Sequence, residues 1–298
     1  MAFALCSTVR TIGAAIARKI MTKGLLMTDE LGGPKFPAPN PDYGMPFYYS
    51  SLTTWWVYYQ VDIETLTPYV GPQFVPATIG GSGLVVINPQ VYSSSFNNGQ
   101  ELTTETEFNI VVYPRAAAAR APLSMSLTDY LQGADQTKLI GNLRLHVACD
   151  DDLAVKAGTA LFGEPKFLTT FAYDIPSPNA PGQLSWSWTI NDPNVKDQTI
   201  FDLEILPLTA VPQAANPTPI TGYTYLGERA IGSRWAPFGA CQLFDVATPG
   251  QVSITFGESA HPMRTDMQNL VGTRAAIAVQ VVTSPPVCVE SGPFFVDL

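Results

Sequence analysis

Among side chains able to do covalent chemistry, the lysines carry the most information. The chain has seven, at positions 19, 23, 35, 138, 156, 166 and 196, and most sit in polar or loop-like surroundings. Lys166 does not: it lies within Ala160–Phe171 (ALFGEPKFLTTF), at the head of an apolar, strand-like run. Taking an ammonium out of water costs several kcal/mol. An amine placed in an apolar pocket therefore tends to shed its proton and become a nucleophile. Lys35, in Gly33-Pro34-Lys35-Phe36, has nearly the same local context. For both, the plain alternative is a lysine with a buried stem and a wet head.

Other chemistry is poorly supported. Phosphate-binding loops, HExxH and GxSxG elbows are all absent from the sequence. Gly80-Gly81-Ser82-Gly83 precedes a strand-like run rather than a helix and reads as a turn. With only two histidines, His146 and His261, a histidine-rich metal centre is excluded. His261 could partner Asp266, but no activated serine or cysteine is signposted. Asp150-Asp151-Asp152 reads as a capped, solvated turn. The cysteines at 6, 149, 241 and 288 have no short spacing and read as buried thiols rather than a disulfide framework. No metal and no cofactor is expected.

The elements that must position these groups are short strands. The 298 residues are 46% hydrophobic and only 14% charged, with 26 Pro and 23 Gly punctuating β-branched and aromatic runs. Such runs are Thr53–Val61, Gly83–Ile87, Phe108–Tyr113, Leu143–Cys149, Lys166–Tyr173, Leu184–Ile190, Gln251–Phe256 and Ala275–Val282. Leu184–Ile190 (LSWSWTI) alternates with period two, as a half-exposed antiparallel strand does. The fold class implied is mainly β, a large, mainly antiparallel, barrel-like or sandwich sheet with few helices. Helices are expected at Asp62–Val70, limited by Pro68, and from Arg115 towards Leu131, interrupted by Pro122. Residues 1–30 suit an amphipathic helix or a leader, and 31–298 a single domain. A net charge of −9 excludes a phosphate backbone as the main partner, and broken apolar runs argue against a membrane helix.

The segment around Lys166 resembles the acetoacetate decarboxylase family, which places a Gly seven residues before a Pro-Lys pair. Gly158 and Pro165-Lys166 keep that spacing, and Leu145-His146 matches an upstream Leu-His pair. Trp235-Ala-Pro-Phe-Gly-Ala-Cys-Gln242-Leu243-Phe244 is similar to the family's W-x-G-P-x-x-L-Q-L-F block. Val57–Asp62 and Leu66 are similar to its first strand and helix. The likeness runs from about Phe47 to Val281 and implies the family's fold, mainly β, an antiparallel β-barrel or cone-like sheet with few helices.

This resemblance implies a Schiff base between Lys166 and a small-molecule ketone or keto acid, with decarboxylation of a β-keto acid as the leading activity. An aldolase or dehydratase working through the same iminium, or a non-catalytic binding barrel, are the alternatives. Glu107 matches the family's active-site glutamate, with Glu105 of the same strand parity and Glu164 as further proton-transfer candidates. The family's arginine ahead of the first strand has no counterpart in Ser51–Thr54, so Arg144 is the candidate for substrate charge, with Gln60 and Phe162 as further substrate contacts. Phe167 replaces a second lysine and should point away from the amine, because neighbouring strand residues face opposite sides. The resemblance also implies a homo-oligomer, and a cytoplasmic location with a leader left open.

Overall fold

Period-two burial organises nearly everything in the computed structural model, which describes residues 36–96, 99–122, 124–176, 185–237, 241–246, 248–284 and 288–296. The expected helix or leader at 1–30 lies outside them. Residues Asn40–Asp297 form one compact unit.

Its first half contains β1 (Phe47–Val61), α1 (Ile63–Leu66), β2 (Phe74–Pro76), β3 (Gly83–Phe96), β4 (Gly99–Pro114), α2 (Leu127–Gln132), β5 (Gly141–Cys149), α3 (Asp152–Phe162) and β6 (Lys166–Leu168). Next come β7 (Phe171–Asp174), β8 (Trp186–Asn191), β9 (Thr199–Ile205), β10 (Gln213–Ala215), β11 (Ile220–Leu226) and β12 (Arg229–Pro237). The chain continues with β13 (Cys241–Asp245), β14 (Val252–Phe256), α4 (Pro262–Leu270), β15 (Ala278–Ser284), β16 (Cys288–Glu290) and β17 (Phe294–Phe295). None of the described helices is long and apolar enough to cross a membrane.

The mainly β, helix-poor class expected from the sequence is observed, with two differences. The large sheet is mixed, since β5 runs parallel to both β11 and β6. It is also no simple closed barrel. Pairing runs from β1 through β3, β4, β5, β11 and β12 to β16, which returns to β1 over only Phe47–Tyr49. Strands β15, β13 and β10 extend beyond that ring from β1. The result is cone-like, with an inner and an outer face. A separate antiparallel sheet, β14-β9-β8-β7, covers part of the outer face.

Alternation along the strands sorts side chains between these faces. Trp55, Val57 and Tyr59 of β1 share the outer-face core with Val85, Ile87, Phe108 and Ile110, and meet Trp188, Ile190, Phe201 and Leu203 of the small sheet. Trp56, Tyr58, Leu84, Val86 and Val111 belong to the inner-face core. Trp55 packs edge-on against Trp186 and Trp188 at ring separations of 4.3 and 5.3 Å. In β5 the register slips at Leu145: Asn109 pairs with Arg144, while the adjacent Phe108 pairs with His146. This bulge leaves Arg144 facing inward and His146 facing outward.

Several local expectations change. Lys166–Tyr173 is not one strand but two, split at Thr169-Thr170, where Thr169 donates to Asn191 O and the chain passes from the large sheet to the small one. The Asp62 segment forms α1 followed by a 3-10 turn at Thr67–Tyr69. The Ala-rich segment gives only a 3-10 turn at Arg115–Ala117 before α2. Two helices were not anticipated. Asp151 caps α3 by accepting from Leu153 N and Ala154 N at 2.7 and 3.0 Å. His261 caps α4 through Nδ1, ahead of Pro262 at the first helical position.

A hydrogen bond joins the two sheets across the outer core: Trp188 Nε1 donates to Thr106 Oγ1 at 2.7 Å, both groups being buried. Thr106→Val keeps the shape and leaves the indole N–H without that partner. It should lower unfolding free energy by about 1–3 kcal/mol, read from the denaturant midpoint at unchanged m-value.

Candidate active site

Lys166 opens β6 and points to the inner face, while Phe167 turns outward to meet the His261 ring at 4.2 Å. The tight approach to the lysine is built by α3. Its Gly163 cap takes φ +60°, and Glu164 N–H donates back to Gly158 O. Lys166 N–H then donates to Glu164 O at 2.7 Å around Pro165. This three-residue turn brings Glu164 and Lys166 to the same side although Glu164 precedes the strand. Gly158 is required because α3 crosses directly over the pair. A Cβ there would lie 2.2 Å from Glu164 Oε2 and 3.0 Å from Lys166 Cδ.

The lysine faces a cavity of about 40 Å³. Its side chain is only 5% exposed, yet it is not bare: Nζ lies 2.5 Å from Glu105 Oε2 and 3.2 Å from Glu164 Oε2. Burial would lower the amine's pKa, but the two carboxylates outweigh it and hold the amine well above the ordinary lysine range. A resting amine kept neutral by burial alone, as the sequence suggested, is therefore not what forms. The ammonium is dry but paired.

The site as a whole holds four buried glutamates, 105, 107, 164 and 290, and two buried cations, Lys166 and Arg144. Arg144 Nε donates to Glu107 at 2.6 Å, lies 3.4 Å from Glu164, and its Nη2 is 3.7 Å from Glu290. Its Nη1 is buried against Gly222 and has no hydrogen-bond partner among the described residues. Glu105 also accepts from Gln90 and Tyr92, at 2.8 and 3.0 Å. Glu107 accepts from Asn109 at 3.0 Å, and Glu290 from Ser233 and Tyr49, at 2.8 and 3.0 Å. Burial raises Glu105 despite Lys166, with Glu164 and Glu107 adding to the rise. Burial opposes ionisation of Glu164 too, but there Lys166 and Arg144 prevail and pull it below the usual carboxylate range. Glu290 is pushed up to about 7 by burial against the pull of Arg144.

Of the residues singled out from sequence, Lys166, Glu105, Glu107, Glu164, Arg144 and Phe162 all line this cavity. Gln60 does not. It shares the parity of Trp56 but sits four residues further along β1, about 13 Å at strand rise, near the strand's end and partly exposed. His146 and His261 lie on the outer face, where His146 Nε2 is 2.7 Å from Asp266 Oδ2; Asp266 thus serves the other histidine. Sequence reasoning missed Tyr49, Gln90, Tyr92 and Glu290. Strand parity could have supplied Gln90 and Tyr92, which pair across from Glu105 and Thr103. Glu290 arrives on a three-residue strand that carries no periodic signal.

No protein-family model matches the chain, and no curated protein matches its sequence. Solved structures do. An acetoacetate decarboxylase-like enzyme from Sphingomonas wittichii RW1 superposes with a TM-score of 0.58 at 12% identity, covering 89% of this chain and 99% of that one. Acetoacetate decarboxylase from Legionella pneumophila gives 0.55 at 11% identity, over 91% and 98%. The fold is that of acetoacetate decarboxylase. The enduracididine biosynthesis enzyme MppR, complexed with pyruvate, shares this fold with a TM-score of 0.56 at 11% identity over 91% and 93%. At such identities the acetoacetate-decarboxylase-like fold is what is held in common.

Glu290 gives a pH signature. A carboxyl lifted from 4.5 to about 7 in the folded protein binds its proton more tightly folded than unfolded. Its contribution is therefore fully present below about pH 4.5 and lost as pH rises through about 7. Glu290→Gln should flatten the stability profile over that window. At pH 8 it should be more stable than wild type by on the order of 3 kcal/mol, with little difference at pH 4.5, as read by melts across the range.

Proposed function

We propose that the protein is a Schiff-base lyase in which Lys166 attacks the carbonyl of a β-keto acid and carbon dioxide is released. The observation that supports this best is the dry contact between Lys166 Nζ and Glu105, a carboxyl whose proton affinity burial has raised. Transfer of one proton over 2.5 Å turns the buried ion pair into a neutral amine and a neutral acid. A low-dielectric chamber tolerates that state, because neither partner is then charged. Glu164 keeps Arg144 as counter-ion when the lysine loses its charge.

The neutral amine adds to the ketone, and Glu105 protonates the carbinolamine hydroxyl as water leaves. In the iminium, the bond between the α-carbon and its carboxylate breaks; its electron pair forms the enamine double bond as the C=N pair moves onto nitrogen. Carbon dioxide departs, the enamine takes a proton on carbon, and water hydrolyses the resulting iminium to release product and Lys166. Arg144 is the group suited to hold the departing carboxylate, since it is a cation lining the cavity and its Nη1 has no hydrogen-bond partner among the described residues. An aldolase or dehydratase would use the same iminium and differ in releasing no carbon dioxide.

A second reading draws on the same geometry. An ammonium bound by two carboxylates also suits a non-catalytic binding cone in which Lys166 serves only as a counter-ion.

Borohydride reduction in the presence of acetoacetate or pyruvate separates them. Mass should be added at Lys166 in the wild type and not in Lys166→Arg. Glu105→Gln should slow the addition by roughly 10²-fold, the scale of losing a positioned proton donor. An unmodified Lys166 across a panel of ketones would leave the binding reading standing.

A further inference from the structure

The catalytic cavity does not end the inner chamber. A second hollow, also about 40 Å³, is lined by Tyr58, Tyr130, Asp135, Lys138 and Pro217, and it shares Asn142 and Ile220 with the first. Strand parity explains the shared wall. Trp56, Arg144 and Gly222 line the first hollow, and the residues two positions along the same strands, Tyr58, Asn142 and Ile220, line the second. The two hollows therefore follow one another along one face, separated by a single two-residue step of about 7 Å.

Their charge characters differ. The first is crowded with carboxylates; the second presents a cation. Lys138 Nζ donates to Pro217 O at 3.0 Å, which leaves ammonium N–H donors for a ligand. Asp135 does not ion-pair with it. The Asp135 carboxylate is occupied by the backbone N–H groups of Thr137, Lys138 and Ile140 and by the Thr137 hydroxyl. That ring of bonds holds Lys138 at φ +54°, a left-handed conformation uncommon for a side-chain-bearing residue. Burial draws the Lys138 amine down from its ordinary value, and Arg234 adds to this against Asp135. An anion beside Lys138 would relieve both.

The opposite wall is equally fixed. Tyr130 comes from α2, whose Leu131 O accepts from Gln280 Nε2 at 2.5 Å, while Gln280 Oε1 accepts from Tyr58 Oη at 2.6 Å. Lys138, Tyr130 and the shared Asn142 thus form a rigid, donor-bearing end to the chamber.

We infer that Lys138 is a specificity-determining residue that binds a carboxylate at the far end of an elongated keto-acid substrate whose carbonyl lies at Lys166. This rests on the Schiff-base reading for the placement of the carbonyl. It narrows the substrate class to keto acids with a second, distal carboxylate, and it makes simple acetoacetate a poor match for the chamber.

The test compares reductive trapping of 6-oxoheptanoate, whose carboxylate lies about one strand step from its ketone, with trapping of 2-heptanone, a neutral ketone of the same length. In the wild type the keto acid should be trapped at about tenfold lower concentration, the scale of a hydrogen bond to a charged group. In Lys138→Met the ratio of the two half-saturating concentrations should fall to near one. Because the ratio is taken within one protein, loss of folded material does not move it. A ratio near one in the wild type, or the same preference in the variant, overturns the assignment. Should neither ketone be trapped, the Lys166 chemistry has failed. Calorimetric titration with 6-oxoheptanoate then decides on Lys138 alone: binding at least tenfold weaker in Lys138→Met supports it, while equal binding or none in the wild type refutes it.

Discussion

A buried ammonium held between two carboxylates sets the terms for everything around it. Lys166 is removed from water by α3 and by the inner face of the large sheet, and that burial is tolerable only because Glu105 and Glu164 stand against it. Those carboxylates then need satisfying in turn, and with two further glutamates present the two cations cannot neutralise them all. Neutral donors make up the difference: Gln90 and Tyr92 on Glu105, Asn109 on Glu107, Tyr49 and Ser233 on Glu290. The remaining imbalance is settled by protons, with the Glu290 carboxyl lifted towards neutrality. A site built this way holds an exchangeable proton between Lys166 and Glu105, which is what the proposed carbinolamine chemistry would draw on.

Two separate cores let this polar interior coexist with a stable protein. The outer face of the large sheet buries tryptophans, aliphatics and the apolar side of α4 against the small sheet, and carries much of the hydrophobic stabilisation. The inner face is then free to trade some apolar burial for charge. The strands divide the labour between their odd and even positions, so Lys166 and Phe167, or Glu107 and Phe108, serve opposite cores while adjacent in sequence.

That same alternation determined how much was legible beforehand. The strand-rich class could be read from short apolar runs between Pro and Gly, and the shared parity of Glu105 and Glu107 from their spacing alone. Phe167 was expected to turn away from the amine, and it does. Tertiary pairing was less accessible. Gln60 has the inward parity but sits too far along β1, a matter of distance rather than direction. Glu164 reaches the lysine through a turn around Pro165, which periodicity does not describe. Burial alone favours a neutral Lys166, and the counter-charges that reverse this come from a different strand and from the turn. The helices α3 and α4 follow an aspartate and a histidine cap, signals too brief to compete with the strand-like runs beside them.

The bulge at Leu145 gives β5 one residue more than its partner β4 needs. That surplus residue decides which of two nitrogen-bearing side chains goes to which compartment: the guanidinium of Arg144 to the glutamates, the imidazole of His146 to Asp266 and the aromatic rings. Removing a single residue from the middle of this strand would not merely shorten it. It would force either an arginine onto the apolar outer face or a histidine among carboxylates, so the strand's length at that point is itself a chemical instruction.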